Sequence, residues 1–267
     1  MSGMRDLEVA LAAAAAGAAV VRDRFGLATR QVDKGLLDFA TDADIDAERA
    51  ICDVLQAERP KDALLGEESG RTAGADNGRV WLVDPLCGTT NYAANVPLVA
   101  VNVALWVDGR GSVAVAVDPF RDEVFWADGA EAGLRAAGKY APIAPRAEYG
   151  LVDLNLDRPY PSAPAFTALG LMGDREFRAA FAPRVLSTTL ALTWVAAGRR
   201  AAYVSDGFLA ENVHFAAGVA ICRAAGCVVT DLRGGELPPD GAGFGLIAAA
   251  DDATHRALLE AVTHLSG

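Results

Sequence analysis

The chain has 267 residues, of which 52% are hydrophobic, and its formal net charge at pH 7 is −11. This length and composition allow a large buried core, in one domain or in two closely packed lobes. The acidic charge, with no cluster of lysine and arginine, argues against nucleic acid or an anionic membrane as a partner. The four cysteines, at positions 52, 87, 222 and 227, show no CxxC spacing, so we expect reduced thiols in a cytoplasmic protein.

The first apolar segment, residues 9–21, is shorter than the roughly 20 residues that a membrane-spanning helix needs. Asp6 and Glu8 stand directly before it. Acidic side chains suit the N-terminus of a helix, whereas a signal peptide begins with positive charge. We therefore predict a helix over residues 6–25, ending at Gly26.

Periodicity and composition predict mixed α and β structure along the rest of the chain. The further predicted helices cover residues 43–57, 188–197, 213–225 and 253–265. The predicted strands cover residues 80–83, 99–107, 112–117, 123–127, 201–204, 227–231 and 245–249. Residues 67–78, rich in glycine and aspartate, are predicted as a loop. Much of residues 151–184 is also predicted to be irregular, since it contains Pro159, Pro161 and Pro164.

The most informative motif is Trp-Leu-Val-Asp-Pro-Leu-Cys-Gly-Thr-Thr-Asn-Tyr at residues 81–92. A β-branched and aromatic run ends at Asp84-Pro85, and Gly-Thr-Thr then opens a short helix or turn. This arrangement delivers Asp84 at the end of a strand, beside backbone N–H groups that can hold an anion.

The motif resembles the signature of the inositol monophosphatase family, Asp-Pro-Leu/Ile-Asp-Gly-Thr-Thr-Asn, with Cys87 in place of the second, metal-binding aspartate. Residues 34–44 and the Gly-Glu-Glu-Ser loop at residues 66–69 are similar to two further family segments. Residues 213–218, Val-His-Phe-Ala-Ala-Gly, are similar to the family's Trp-Asp-x-Ala-Ala-Gly, so His214 stands where the last metal-binding aspartate would be.

The resemblance implies the family's layered αβαβα sandwich, a fold that combines α+β and α/β parts. We expect an N-terminal α+β half over residues 1–140, which contains Asp44, Glu67 and the motif at 84–91. A C-terminal α/β half over residues 141–267 would contain His214, and the two halves would form one compact unit.

In this family, hydrolysis of a phosphate ester uses two or three Mg²⁺ ions that activate a water and stabilise the leaving oxygen. The resemblance assigns the ion that activates water to Glu67, Asp84, the Leu86 carbonyl and Thr89. It assigns Asp44 and Thr89 to orientation of the attacking water. The N–H groups of Gly88 and Thr89 match the family's phosphate cradle.

Substrate hydroxyls are gripped in the family by a glutamate seven residues before the last metal ligand. The matching position here is Gly207. Asp206 beside it, or Glu211 nearer the ligand, could substitute, and the resemblance therefore does not imply recognition of inositol phosphate.

The resemblance assigns the second ion to Asp84, Cys87 and His214, which are a carboxylate, a thiol and an imidazole. Mg²⁺ prefers hard oxygen ligands, whereas this set suits a catalytic Zn²⁺. We expect Cys87 to be a thiolate beside free N–H groups and a cation. We expect His214, near a helix start where the dipole disfavours imidazolium, to keep a lone pair for the metal. Zn²⁺ is thus the predicted cofactor, with Fe²⁺ or Mn²⁺ as alternatives and Mg²⁺ less favoured.

Three functions follow from these residues. The first is a metalloenzyme whose zinc-like site acts as a Lewis acid on a small polar metabolite, and which is not a standard Mg²⁺-dependent inositol phosphatase. The second is a phosphomonoesterase with an altered metal preference, supported by the intact set of Glu67, Gly88 and Thr89. The third is a non-catalytic pseudo-phosphatase, because Cys87 and His214 are also compatible with decay of the site. In each case we expect a small-molecule partner and a cytoplasmic homodimer.

Overall fold

The computed structural model describes residues 4–27, 30–35, 38–72, 74, 77–156, 168–208, 213–237 and 244–266. The helices of this part of the chain are α1 (Asp6–Arg24), α2 (Asp42–Glu58), α3 (Thr89–Ala93), α4 (Ala168–Gly173), α5 (Arg175–Ala180), α6 (Leu190–Ala196), α7 (Val213–Ala225) and α8 (Asp252–Ser266). Its strands are β1 (Gln31–Gly35), β2 (Asp38–Thr41), β3 (Ala63–Gly66), β4 (Gly70–Arg71), β5 (Arg79–Cys87), β6 (Ala100–Val107), β7 (Arg110–Asp118), β8 (Glu123–Asp128), β9 (Glu131–Ala136), β10 (Lys139–Pro142), β11 (Leu151–Asn155), β12 (Ala182–Val185), β13 (Ala202–Phe208), β14 (Val228–Thr230) and β15 (Phe244–Ala249).

The chain divides into two compact units. Unit 1 consists of Met1–Pro142, Thr188–Leu190 and Val213–Ile221. Unit 2 consists of Ile143–Ser187, Ala191–Asn212 and Cys222–Gly267. The short segment that contains His214 therefore groups with unit 1, although it lies beyond residue 140 in the sequence.

Unit 1 is built on an eight-stranded sheet in the order β10-β9-β8-β7-β6-β5-β3-β4. Its neighbouring strands are antiparallel, except that β3 and β5 are parallel. Helix α1 packs against β6 and β7, and α2 packs against β5 and α1. The two helices approach closely because α1 is rich in alanine and has a glycine at the contact: a Cβ on Gly17 would lie 2.6 Å from Ile51.

Two local features of unit 1 position polar groups at the end of β5. Strand β5 continues past Asp84 to Cys87 across a bulge in its pairing with β6. Gly88 follows with a φ of 104°, a left-handed conformation that favours glycine, and forms the N-cap of α3. At the start of α2, Thr41 is the N-cap and forms a capping box with Asp44.

Unit 2 is built on a five-stranded sheet in the order β12-β11-β13-β15-β14. Strand β11 is parallel to β12 and β13, while β15 is antiparallel to β13 and β14. Apolar residues of the sheet and of α8 form its core, including Val152, Leu154, Val204, Ile247 and Leu258. None of the helices in the described ranges is both long and apolar enough to cross a lipid bilayer.

The structure confirms the predicted helices and strands, with shifted ends. The helix predicted over 188–197 is shorter, and the strands predicted over 80–83 and 201–204 continue to Cys87 and Phe208. The predicted loop at 67–78 contains the short strand β4. Residues 151–184, much of which was predicted to be irregular, contain β11, α4, α5 and β12 in their described part. The three prolines at 159, 161 and 164 lie outside the described residues.

Candidate functional site

Unit 1 brings together the three side chains that the sequence predicts as ligands of the second ion. One potential ligand atom from each of Asp84, Cys87 and His214 lies within 4.8 Å of the other two. Asp84 and Cys87 come from the end of β5, and His214 is the second residue of α7. The imidazole Nδ1 lies 2.9 Å from Asp84 Oδ2, although the two residues are 130 positions apart in the sequence. A carboxylate, a thiol and an imidazole thus converge on one point.

The charges within this trio shift the pKa values of its thiol and its imidazole. Burial alone would lower the pKa of His214, but the charge of Asp84 and the hydrogen bonds to Asp84 and Cys87 raise it well above its ordinary value. Burial, followed by the charge of Asp84, raises the pKa of the Cys87 thiol to about 11. Both shifts favour the protonated forms of the imidazole and the thiol. The thiolate and the neutral imidazole were expected beside a bound cation, and for that state they stay predictions.

Glu67 lies beside the trio. Its Oε2 is 3.9 Å from His214 Nδ1, and this oxygen is buried without a hydrogen-bond partner among the described residues. Its other oxygen, Oε1, lies 3.4 Å from Lys34 Nζ. Burial, followed by the charge of Asp84, raises the pKa of Glu67 to about 8. Buried carboxylate oxygens are rarely left unpaired, so this one fits a bound cation.

Asp44, Thr89 and the Leu86 carbonyl also meet in unit 1. The Thr89 hydroxyl lies 2.9 Å from Asp44 Oδ1 and 3.2 Å from the Leu86 carbonyl oxygen, and its one proton can be donated to either. Asp44 Oδ2 accepts from the backbone N–H of Thr41 at 2.8 Å. Burial raises the pKa of Asp44, while the hydrogen bonds from Thr41 and Thr89 oppose that shift. Asp44 therefore caps α2 and at the same time contacts the predicted water-orienting hydroxyl.

The predicted substrate-binding residues have different surroundings. Gly88 joins β5 to α3, directly after Cys87. Asp206 lies in unit 2 on β13, where its buried Oδ2 accepts from the backbone N–H of Ala168 at 2.8 Å. Burial raises the pKa of Asp206. Glu211 lies outside the described residues, so the roles of Asp206 and Glu211 stay predictions.

Sequence reasoning missed Asn102 and Thr189. Asn102 lies opposite Asp84 in the pairing of β5 with β6, and its amide donates to Asp84 Oδ2 at 3.2 Å. The same amide donates to Thr189 Oγ1 at 2.8 Å, and the backbone N–H of Thr189 donates to Cys87 Sγ at 3.3 Å. The sequence did contain a signal for Asn102, which is an asparagine in an otherwise apolar strand. A buried amide requires hydrogen-bond partners, so a polar neighbour could have been predicted.

Glu48 was missed as well. This residue of α2 is 3% exposed, and its two carboxylate oxygens each accept a 2.8 Å hydrogen bond, from the backbone N–H groups of Glu68 and Ser69. Gly66 permits the close approach, since a Cβ there would lie 2.6 Å from the Glu48 carboxyl carbon. Glu48 thus fixes the path of the backbone directly after Glu67.

Replacement of Glu48 by glutamine is expected to loosen this loop. One accepting oxygen becomes an NH₂ group that faces a backbone N–H, so the free energy of unfolding should fall by about 1–3 kcal/mol. Amide hydrogen exchange at Glu68 and Ser69 should accelerate. Glu58→Gln, an exposed change on the same helix, is the control. Equal unfolding free energies for the two variants would contradict the assigned role.

The helices and the mixed sheets are those of an α/β sandwich. The model of the inositol monophosphatase family matches residues 4–266, and the chain belongs to that family. It is 35% identical over 228 residues to an inositol-1-monophosphatase of Caulobacter vibrioides, covering 83% of this chain and 87% of the relative. It is 37% identical over 210 residues to the Nus factor SuhB of Escherichia coli, covering 76% of this chain and 75% of that protein.

A solved structure, the extragenic suppressor protein SuhB of Bartonella henselae, superposes with a TM-score of 0.83 at 28% identity. The superposition covers 96% of this chain and 97% of the other. The predicted family and the predicted sandwich fold are therefore confirmed. The family is metal-dependent, usually with Mg²⁺, and acts on small phosphorylated substrates.

Proposed function

We propose that this protein is a metalloenzyme whose Asp84, Cys87 and His214 bind Zn²⁺ in place of one of the usual Mg²⁺ ions. The observation that carries the proposal is the convergence of the three ligand atoms within 4.8 Å of one another. One sulfur, one nitrogen and one carboxylate oxygen match the ligands of catalytic zinc sites, which keep a further position open. Fe²⁺ and Mn²⁺ are the alternative ions.

A zinc ion at this position would supply a Lewis acid that polarises a carbonyl or a bound water. The chain's own groups would do the rest. Glu67 Oε2 lies 3.9 Å and Asp84 Oδ2 lies 2.9 Å from His214 Nδ1, so these two carboxylates are suited to hold a second, harder ion. The Thr89 hydroxyl, held by Asp44, would orient the attacking water.

The proposed substrate is a small polar metabolite. The hydroxyl-gripping glutamate that the family resemblance implies is replaced by Gly207, which favours a substrate other than inositol phosphate. A site without a side chain that binds substrate hydroxyls no longer selects for substrates that carry them.

A second candidate is a phosphomonoesterase with an altered metal preference. The contacts of the Thr89 hydroxyl with Asp44 and with the Leu86 carbonyl favour it, because they preserve the part of the site assigned to water activation. The relative named inositol-1-monophosphatase is consistent with this chemistry.

The proposed partner is a small molecule and not nucleic acid. Several relatives are named Nus factor SuhB, but this chain has a net charge of −11, which opposes direct contact with a phosphate backbone. The homodimer and the cytoplasmic location stay predictions.

Metal analysis of protein purified without chelator tests the proposal. We expect about one zinc per chain in the wild type, as in a single catalytic site. Cys87→Ser and His214→Ala should lose this zinc. Cys52→Ser, which changes a half-buried cysteine of α2 outside the trio, should keep it. Absence of any transition metal, together with alkylation of Cys87 at one rate with and without added zinc, would refute the proposal.

A further inference from the structure

We infer that Asn102 and Thr189 are positioning residues that hold Asp84 and Cys87 in place for the ion. The inference rests on the proposed function, since it concerns the same metal site. Neither residue belongs to the trio, and neither contributes an atom to it. Their hydrogen bonds instead fix the orientation of two of the three ligands.

Asn102 acts on the carboxylate. Its side chain is 1% exposed and projects from β6 directly opposite Asp84. The amide donates to Asp84 Oδ2, the same oxygen that faces His214 Nδ1. Rotation of the Asp84 carboxylate would break this buried hydrogen bond, which costs free energy. Oδ2 is therefore held toward the imidazole.

Thr189 links the same amide to the sulfur. Its hydroxyl accepts from Asn102, and its backbone N–H donates to Cys87 Sγ. An N–H···S bond suits a metal-bound thiolate, because it stabilises negative charge on sulfur. The amide of Asn102 therefore fixes Asp84 directly and Cys87 through the placement of Thr189.

The unsatisfied atom of Asn102 supports a positioning role. Its Oδ1 is buried without a hydrogen-bond partner among the described residues. A strand position among valines and alanines would be filled more favourably by an apolar side chain if only packing mattered. Both donated bonds of the amide point toward the candidate metal ligands, directly or through one residue. Such outer hydrogen bonds are a recognised means of orienting ligands and tuning metal affinity.

Zinc affinity, measured by competition with a chromogenic chelator, tests the inference. Asn102→Leu and Thr189→Val remove the linking hydrogen bonds at similar volume, and each should weaken zinc binding by about 10- to 100-fold. Thr189→Ser keeps the hydroxyl and should bind zinc like the wild type. Thr230→Val, the same change at a half-buried position of unit 2, is the matched control. If Asn102→Leu does not fold, Asn102→Thr replaces it, because a β-branched side chain suits a strand.

A second readout does not depend on affinity. In the Co²⁺-loaded protein, the thiolate-to-cobalt charge-transfer band should shift in Thr189→Val and stay unchanged in Thr230→Val. Zinc affinities of Asn102→Leu and Thr189→Val within twofold of the wild type, with an unshifted cobalt band, would overturn the inference and leave the zinc site intact. Failure of the wild type to bind zinc would overturn the proposed function and the inference together.

Discussion

Simultaneous replacement of Cys87 and His214 by aspartate is expected to convert the site to an all-oxygen centre that binds Mg²⁺. Glu67, Asp84 and the contact between Asp44 and Thr89 are already in place, so only the soft ligands need to change. The double variant should gain Mg²⁺-dependent hydrolysis of generic phosphomonoesters. It should also lose zinc, because Zn²⁺ prefers thiolate and imidazole ligands, whereas carboxylates suit hard ions such as Mg²⁺.

Isothermal titration with Mg²⁺ and Zn²⁺, together with phosphate release, checks this conversion across the wild type, both single variants and the double variant. Each single variant should bind both ions poorly, since a mixed ligand set suits neither. The two substitutions should therefore be strongly non-additive, as expected for ligands of one ion. Additive effects would mean that Cys87 and His214 do not share a metal, and the zinc proposal would fail.

The wild-type protein is expected to hydrolyse inositol 1-phosphate very slowly with Mg²⁺. Two of the three groups assigned to the leaving-group ion are a thiol and an imidazole, and Gly207 offers no side chain to grip a substrate hydroxyl. We expect a turnover at least about 100-fold below the roughly 10 s⁻¹ of ordinary enzymes.

The inositol-1-monophosphatase of Caulobacter vibrioides, assayed beside this protein under the same conditions, is the natural reference. Activity of this protein with Mg²⁺ on the order of 10 s⁻¹ would show that Cys87 and His214 do not impair the usual reaction. In that case the phosphomonoesterase interpretation would replace the zinc proposal.

Much of the fold could be predicted because the apolar segments have clear periods. The helix over 213–225 is observed as Val213–Ala225, and the strand over 123–127 is extended by one residue. Strand β11 was missed because Asp153 interrupts its apolar run. This aspartate is fully buried, and it is tolerated there because Arg200 pairs with it at 2.8 Å. Nothing local in the sequence indicates a partner 47 positions away.

The pKa shifts at the site were harder to predict from the sequence than the residues that meet there. The position of His214 near a helix start was visible in the sequence, whereas its 2.9 Å contact with Asp84 was not. The charge of Asp84 raises the pKa of His214, whereas a helix N-terminus alone would lower it. Glu48 and Asn102 were missed for a related reason, since each acts through hydrogen bonds to residues that are remote along the chain.

The carboxylate of Glu48 binds the loop after Glu67 through backbone N–H groups only, and this has a consequence for how such a site evolves. A backbone N–H can donate this bond whatever side chain its residue carries. The path of the loop therefore does not depend on which side chains face an ion. The backbone at position 87 is likewise held by the pairing of β5 with β6. Metal-facing residues can therefore change without a change in the backbone that carries them. At the proposed site, two substitutions are therefore expected to be enough to change the preferred ion without a change in the backbone.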